Sequence, residues 1–308
     1  MRLRIDVRVR GIGEREEPAP ARRNETRRGR ARGEGLFADD SVLRRVTRES
    51  VGLLGGGRGI LMQIAHPMVA AGVADYSSFK SDPLGRLQRT MDITLGIVLG
   101  DREHAEEVLR QFHAIHGRVK GQLSHDAGPF SAGTPYFAHD PALKLWVHAT
   151  LIQTTLVVHE RFVGRLSPRD RRRYYEDSIL LARRFGIPDT IIPPTLEELD
   201  AYIDEMVSGD TLAVTETTRD LATHVLYPNV WIVPRTVGPL ARFVTAGLLP
   251  ERLREAYGFE WDAGKQALLD QISRGARLMI PLTPSWIRLV PHAGGGQLLD
   301  WVIRGKPR

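Results

Sequence analysis

At 308 residues, 42% of them apolar and 26% charged, the chain is long enough to bury a large core, and it has no cysteine. Disulfides, thiolate nucleophiles, cysteine-bound zinc and iron–sulfur clusters are therefore excluded, and any metal chemistry must run through His, carboxylates or a prosthetic group. The net charge of +6 invites a nucleic-acid reading, but residues 1–35 hold eleven Arg against six acidic residues, so the tail carries nearly all of the charge and the rest is close to neutral.

Residues 1–36 form an Arg-rich tail expected to be disordered, because "APARRNETRRGRARGEG" has almost no bulky apolar residue. Such a tail can touch RNA or anionic lipid electrostatically; a solubilising extension explains it equally well. A specific nucleic-acid reader would want its basic residues on the folded part, so no specific nucleic-acid partner is expected. No apolar run reaches the length of a membrane span and the N-terminus lacks a signal-peptide core, which makes a cytoplasmic protein the default, with peripheral membrane contact left open.

From residue 37 onward the pattern is helical nearly everywhere, and one domain over 37–308 is expected. "SVLRRVTRESVGLL" repeats apolar residues at three and four spacing and should stop at Gly55, Gly56 and Gly57. "GGGRGI" resembles a phosphate loop superficially, but it follows a helix and lacks the terminal Lys-Ser/Thr, so it reads as a helix break. A second helix, "GILMQIAHPMVAAGVA", is apolar on nearly all sides and must be buried. Within it His66 is either a core residue satisfied by a backbone carbonyl or a functional group turned toward a cavity by Pro67.

Asp82 and Pro83 cap "PLGRLQRTMDITLGIVLG", which places Arg86, Arg89 and Thr90 on adjoining strips of one helix. Its apolar continuation implies burial, and a buried guanidinium needs an anionic partner, a ligand's carboxylate included. Asp101 starts "REHAEEVLRQFHAIHGRVKGQL", expected to run to about His125, with His113 and His116 one turn apart. Neither a Glu-x-x-His pair nor His-Glu-x-x-His surrounds them, which argues against di-iron and zinc centres of those types. A single helical histidine facing apolar helices is what a haem iron needs, with Arg for the propionates. His148, flanked by Trp146, Val147 and Leu151, is a second such histidine.

After the loop "HDAGPFSAGTPYFAHD", Asp140-Pro141 opens a long helix, and Ser167-Pro168 opens a basic one to Phe185. "PPTLEELDAYIDEMV", "DTLAVTETTRDLATHVL", "TVGPLARFVTAGLL" and "FEWDAGKQALLDQISRGARLMI" supply further helices, and no strand run exceeds a few residues. The fold class is all-α, a multi-helix bundle.

Four blocks, "GGGRGILMQIAHPMVAAGVADYSSF", "DPLGRLQRT", "HAIHGRVKG" and "DPALKLWVHATLI", in that order, resemble the catalytic-domain family shared by the oxygenase MpaB of mycophenolic acid biosynthesis and the latex clearing proteins (rubber oxygenases), over roughly residues 40–290. The resemblance implies a globin-like core around one non-covalent haem b (heme iron), dioxygen and a small apolar, unsaturated substrate as reactants, and an electron donor as a further partner. It places the family's Arg-x-x-Lys-Thr motif on Arg86, Arg89 and Thr90 and the iron ligand on His116, with His113 beside or outside the pocket and His148 as the fallback ligand. Arg89 stands where the family has lysine, and a guanidinium does not readily ligate iron. The family's glutamate base has no counterpart, which leaves His66 or Asp75 to move protons. A non-catalytic haem carrier or gas sensor, and a haem-free helical scaffold for lipid or a partner, are the other two readings.

Overall fold

The computed structural model describes residues 35–76, 92–226 and 237–290, and within them the chain is predominantly α-helical. The helices are α1 (Val42–Thr47), α2 (Gly56–Ile64), α3 (Pro67–Tyr76), α4 (residues 92–99), α5 (Arg102–His116), α6 (Pro141–Phe162), α7 (Pro168–Arg184), α8 (Leu196–Ser208), α9 (Glu216–Leu226), α10 (Val237–Leu248), α11 (Glu251–Ala256), α12 (Ala263–Met279) and α13 (Ser285–Arg288). Among the described residues the only sheet is a two-stranded antiparallel hairpin, β1 (Lys120–Gln122) on β2 (Pro135–Phe137).

Helix α6 is the central element. Its buried residues include Leu145, Trp146, Thr154, Phe162 and His148, positions that fall on every side of the cylinder, and it packs against α1, α2, α7, α8 and α12. It begins where Asp140 accepts hydrogen bonds from the amides of Ala142 (2.8 Å) and Leu143 (3.4 Å), with Pro141 in the first turn. Ser167 caps α7 through the Asp170 amide (3.1 Å). The far end of α7 closes on Gly186 in the left-handed region (φ +73°), where the Gly186 amide donates to Arg183 O and the Ile187 amide to Ala182 O. Asp177 of α7 accepts from the Ser41 hydroxyl (2.8 Å) and the Leu43 amide (3.2 Å), so a carboxylate of one helix holds the first turn of α1.

Four boundaries differ from the sequence expectation, the first being that "GILMQIAHPMVAAGVA", expected as one helix, is split between α2 and α3 at Ala65–His66. The expected single helix over 41–54 is α1 followed by a 3-10 segment at Ser50–Gly55, with Glu49 extended between them because it pairs with Leu289 and Arg288. Gly56 and Gly57 do not end a helix; they form the first turn of α2. A Cβ on Gly57 would run into the Thr245 side chain, so this glycine is where α10 approaches most closely. The helix expected to run to about His125 stops at His116 and gives way to β1.

The arginine inside that glycine run is a buried structural hub. Arg58 is 4% exposed; its Nε donates to Leu248 O (2.8 Å), Nη1 to the Thr154 hydroxyl and Nη2 to Gln153 Oε1 (2.8 Å). Gln153 in turn donates to Asp200 (2.8 Å), which brings an anionic counter-charge one amide away. Burial lowers the guanidinium to about 10 and Asp200 opposes that, so Arg58 stays charged at neutral pH.

Candidate functional site

The C-terminal turn of α5 carries the two histidines that raise the functional question. Asp101 caps the helix through the His104 amide (2.8 Å), and Ala105, Val108 and Leu109 are its buried residues, which fixes the rotation of the helix on the core. His116 then places Nδ1 2.9 Å from the Phe112 carbonyl, with its ring 3.9 Å from the Phe112 ring. A carbonyl only accepts, so the neutral ring carries its proton on Nδ1 and keeps a lone pair on Nε2. Among the described residues nothing hydrogen-bonds that Nε2. Burial, reinforced by the charges of His139, His113 and Lys144, holds the imidazole below the usual histidine range, against the pull of the Phe112 carbonyl.

His113 is committed differently. Its Nε2 donates to Arg184 O at the end of α7 (3.0 Å), so it ties two helix ends together. Its ring stacks on His139 at 5.8 Å, and His139 Nε2 donates to His113 O (3.1 Å) while presenting an edge to His116 at 6.5 Å.

His139 is a residue the sequence reading missed; in "YFAHD" it reads as the end of a loop. The hairpin brings it here. Strand β1 begins four residues after His116 and β2 ends two residues before His139, and the pairing of Lys120 with Phe137 folds the second back onto the first. Gly121 makes the register possible, because a Cβ there would strike the Tyr136 ring.

His148 lies in α6, 4% exposed, with its Nδ1 buried and without a hydrogen-bond partner among the described residues. Phe185 meets its ring edge-on at 6.3 Å, and Phe112 is 4.8 Å from Phe185, so ring contacts run from His116 through Phe112 and Phe185 to His148. Burial pushes His148 down to about 4, opposed in part by a backbone hydrogen bond at Ser178.

His66, just before α3, and Asp75, within it, flank the same hairpin. His66 sits at the break between α2 and α3, stacks on Phe130 at 5.6 Å, and accepts from the Met68 amide (3.3 Å) through Nδ1. It is satisfied by a backbone amide rather than by the carbonyl expected, since Pro67 starts a new helix whose first amides need acceptors. Burial pushes it down to about 4, against the attraction of Asp140. Asp75 is exposed and accepts from the Tyr136 hydroxyl. Arg86, Arg89 and Thr90 lie outside the described residues.

Acid sensitivity follows from the two buried rings. His66 and His148 stay neutral in the fold down to about pH 4, but in the unfolded chain only down to 6.5. The unfolded state therefore takes up protons first as pH falls. Stability should be undiminished above about pH 6.5 and decline from there to pH 4, by on the order of 3 kcal/mol per histidine at the lower end. Thermal melts at pH 7.5 and 4.5 check this; an unchanged midpoint would contradict it.

Among the described residues no group of three or more His, Asp or Glu is placed to hold a bare metal ion. What the site offers is one neutral imidazole, anchored through Nδ1 and open at Nε2, and an anchored ring of this kind is how proteins present a histidine to a metal that brings its other ligands with it. The fold thus defines a predominantly α-helical protein in which, among the described residues, His116 and His148 each have a ring nitrogen without a hydrogen-bond partner. The chain belongs to the family described as ER-bound oxygenase mpaB/B'/rubber oxygenase, catalytic domain, which it matches over residues 43–278. It is also similar to two uncharacterised proteins, one from Mycobacterium bovis and one from Mycobacterium tuberculosis, each 26% identical over 257 residues that cover 81% of this chain and 95% of the relative. No solved structure matches it.

Proposed function

We propose that the protein is a cytoplasmic haem b-dependent oxygenase that uses dioxygen to oxidise a small, apolar, unsaturated molecule, with His116 as the protein ligand to the iron. The observation that carries this reading is the His116 tautomer: Nδ1 donates to Phe112 O and Nε2 is left with its lone pair. Family membership supports the oxygenase class, and fold alone would fix no substrate.

When bound, the haem supplies the iron chemistry that activates dioxygen. The chain's own part begins with keeping His116 neutral, which burial does, and with holding its ring by the Phe112 carbonyl. His113 and His139 brace the helix end that carries it, through Arg184 O and His113 O. His148, neutral at pH 7 with an unsatisfied Nδ1, is the alternative ligand. Arg86 and Arg89 supply permanent positive charge for carboxylates such as propionates, and Thr90 a hydroxyl donor.

Of the two proton carriers, His66 is neutral at pH 7 and keeps its proton on Nε2, since Nδ1 accepts from Met68. Asp75 holds the Tyr136 hydroxyl and is the acceptor nearer to solvent. An electron donor completes the set of partners.

The test is an absorption spectrum of protein produced with added haem precursor, before and after dithionite and carbon monoxide, followed by oxygen uptake with unsaturated hydrocarbons. A stoichiometric Soret band with substrate-dependent uptake is expected. A colourless protein that refuses hemin sinks the proposal; a haem protein with no uptake reduces it to a carrier.

A further inference from the structure

The last described segment presents apolar side chains to solvent more than any other described segment does. Leu278 is 73% exposed, Met279 63%, Leu282 78% and Trp286 67%, with Ile287 exposed beside them. Leu268 extends the patch along α12, because Leu268, Gly275 and Met279 follow at seven and eleven residues, close to whole helical turns.

The exposure does not come from a loose chain end. Arg288 grips the buried carboxylate of Glu49 with two nitrogens (2.6 and 2.8 Å), the Ser50 hydroxyl donates to Ile287 O (3.1 Å), and the Val290 amide donates to Arg48 O (2.8 Å). Trp286 is thus carried by a segment fastened immediately after it, at residues 287, 288 and 290. A run of exposed apolar side chains of this kind marks an interaction surface.

The charge of the segment says what kind. Residues 271–290 contain Arg274, Arg277 and Arg288 and no Asp or Glu. Arg277 donates to the carbonyls of Arg161 (3.0 Å) and Glu160 (2.8 Å), not to a carboxylate, so its positive charge is not neutralised there. A second copy packed on this face by a two-fold axis would bring the same positive charges together. An anionic lipid surface would meet the apolar side chains with acyl chains, the indole with the interfacial zone and the arginines with phosphates. Among the described residues no helix is long and apolar enough to cross a membrane, so contact through this face would be peripheral.

We infer that the face formed by the end of α12, the turn after it and α13 docks on an anionic membrane surface through Leu278, Met279, Leu282 and Trp286, flanked by Arg274 and Arg277. This inference is independent of the haem reading.

The experiment is co-sedimentation of the full chain with phosphatidylglycerol/phosphatidylcholine vesicles and with pure phosphatidylcholine vesicles. It compares wild type with Leu282→Glu/Trp286→Glu, alongside thermal melts and light scattering of both. Binding that needs phosphatidylglycerol and falls by about tenfold or more in the variant, with an unchanged Tm, is the expected result. No partitioning of the wild type, or equal binding to both vesicles, overturns the inference. Undiminished binding of the variant also overturns it, because another segment, such as the Arg-rich N-terminus, then carries the contact. A lowered Tm in the variant, or a wild-type dimer that the variant loses, shows that protein covers the face and overturns it too.

Discussion

His116→Ala is expected to remove the Soret band completely while leaving the helical fold in place. The cost to stability should be small, about 1 kcal/mol, because the ring makes one hydrogen bond to a carbonyl of its own helix and is only partly buried. His113→Ala should behave in the opposite way. It removes the tie from α5 to Arg184 O and loosens the helix end, but keeps the band. His148→Ala opens a cavity in the centre of the molecule and should cost about 2–4 kcal/mol whether or not haem is bound. Added imidazole should restore a Soret band to His116→Ala, since the deletion leaves space of that shape. Absorption and denaturation on the same three samples separate the roles. A band lost in His148→Ala and kept in His116→Ala would move the ligand to α6.

Arg58→Ala is expected to be the most destabilising single change, at about 3–5 kcal/mol. The substitution removes a charge that burial has already made costly, and the loss is greater than the charge itself. Leu248 O, Thr154 and Gln153 lose their donor together inside the core, and the Asp200 carboxylate loses the cation behind Gln153. Asp200→Asn should be milder, because Gln153 keeps a neutral acceptor and Arg58 keeps its three hydrogen bonds. Urea unfolding of both variants against wild type measures the difference. A change below about 1 kcal/mol for Arg58→Ala would mean that α2, α6 and α10 are held by apolar packing alone.

Helix identity was legible in the sequence because its signals are local. Asp101, Asp140 and Ser167 were expected to start helices and each accepts a hydrogen bond from an amide two or three residues on. Helix ends were less legible wherever a distant partner intervenes. Glu49 leaves the helical pattern for Arg288, 239 residues away. The segment after His116 leaves it to pair with residues 135–137. "GGGRGI" misled for a related reason: its glycines answer to the side chains of α6 and α10, which no local window contains.

The same division holds at the candidate site. Composition and periodicity by themselves determined an α-helical protein without thiol chemistry, with His113 and His116 one turn apart on α5 and His148 in a helix among Trp146, Val147 and Leu151, because those properties depend on residue type and on 3.6-residue spacing. Only the tertiary structure decided what each histidine does. His113 spends its Nε2 on Arg184 O, His116 commits Nδ1 to Phe112 O and keeps Nε2, His139 arrives through a hairpin register, and His148 has a buried nitrogen unmatched among the described residues. A ring nitrogen's role is set by whichever group lies within hydrogen-bond reach of it; for His116 and His66 that group is local, and for His113 and His139 it comes from residues 71 and 26 positions away in the chain.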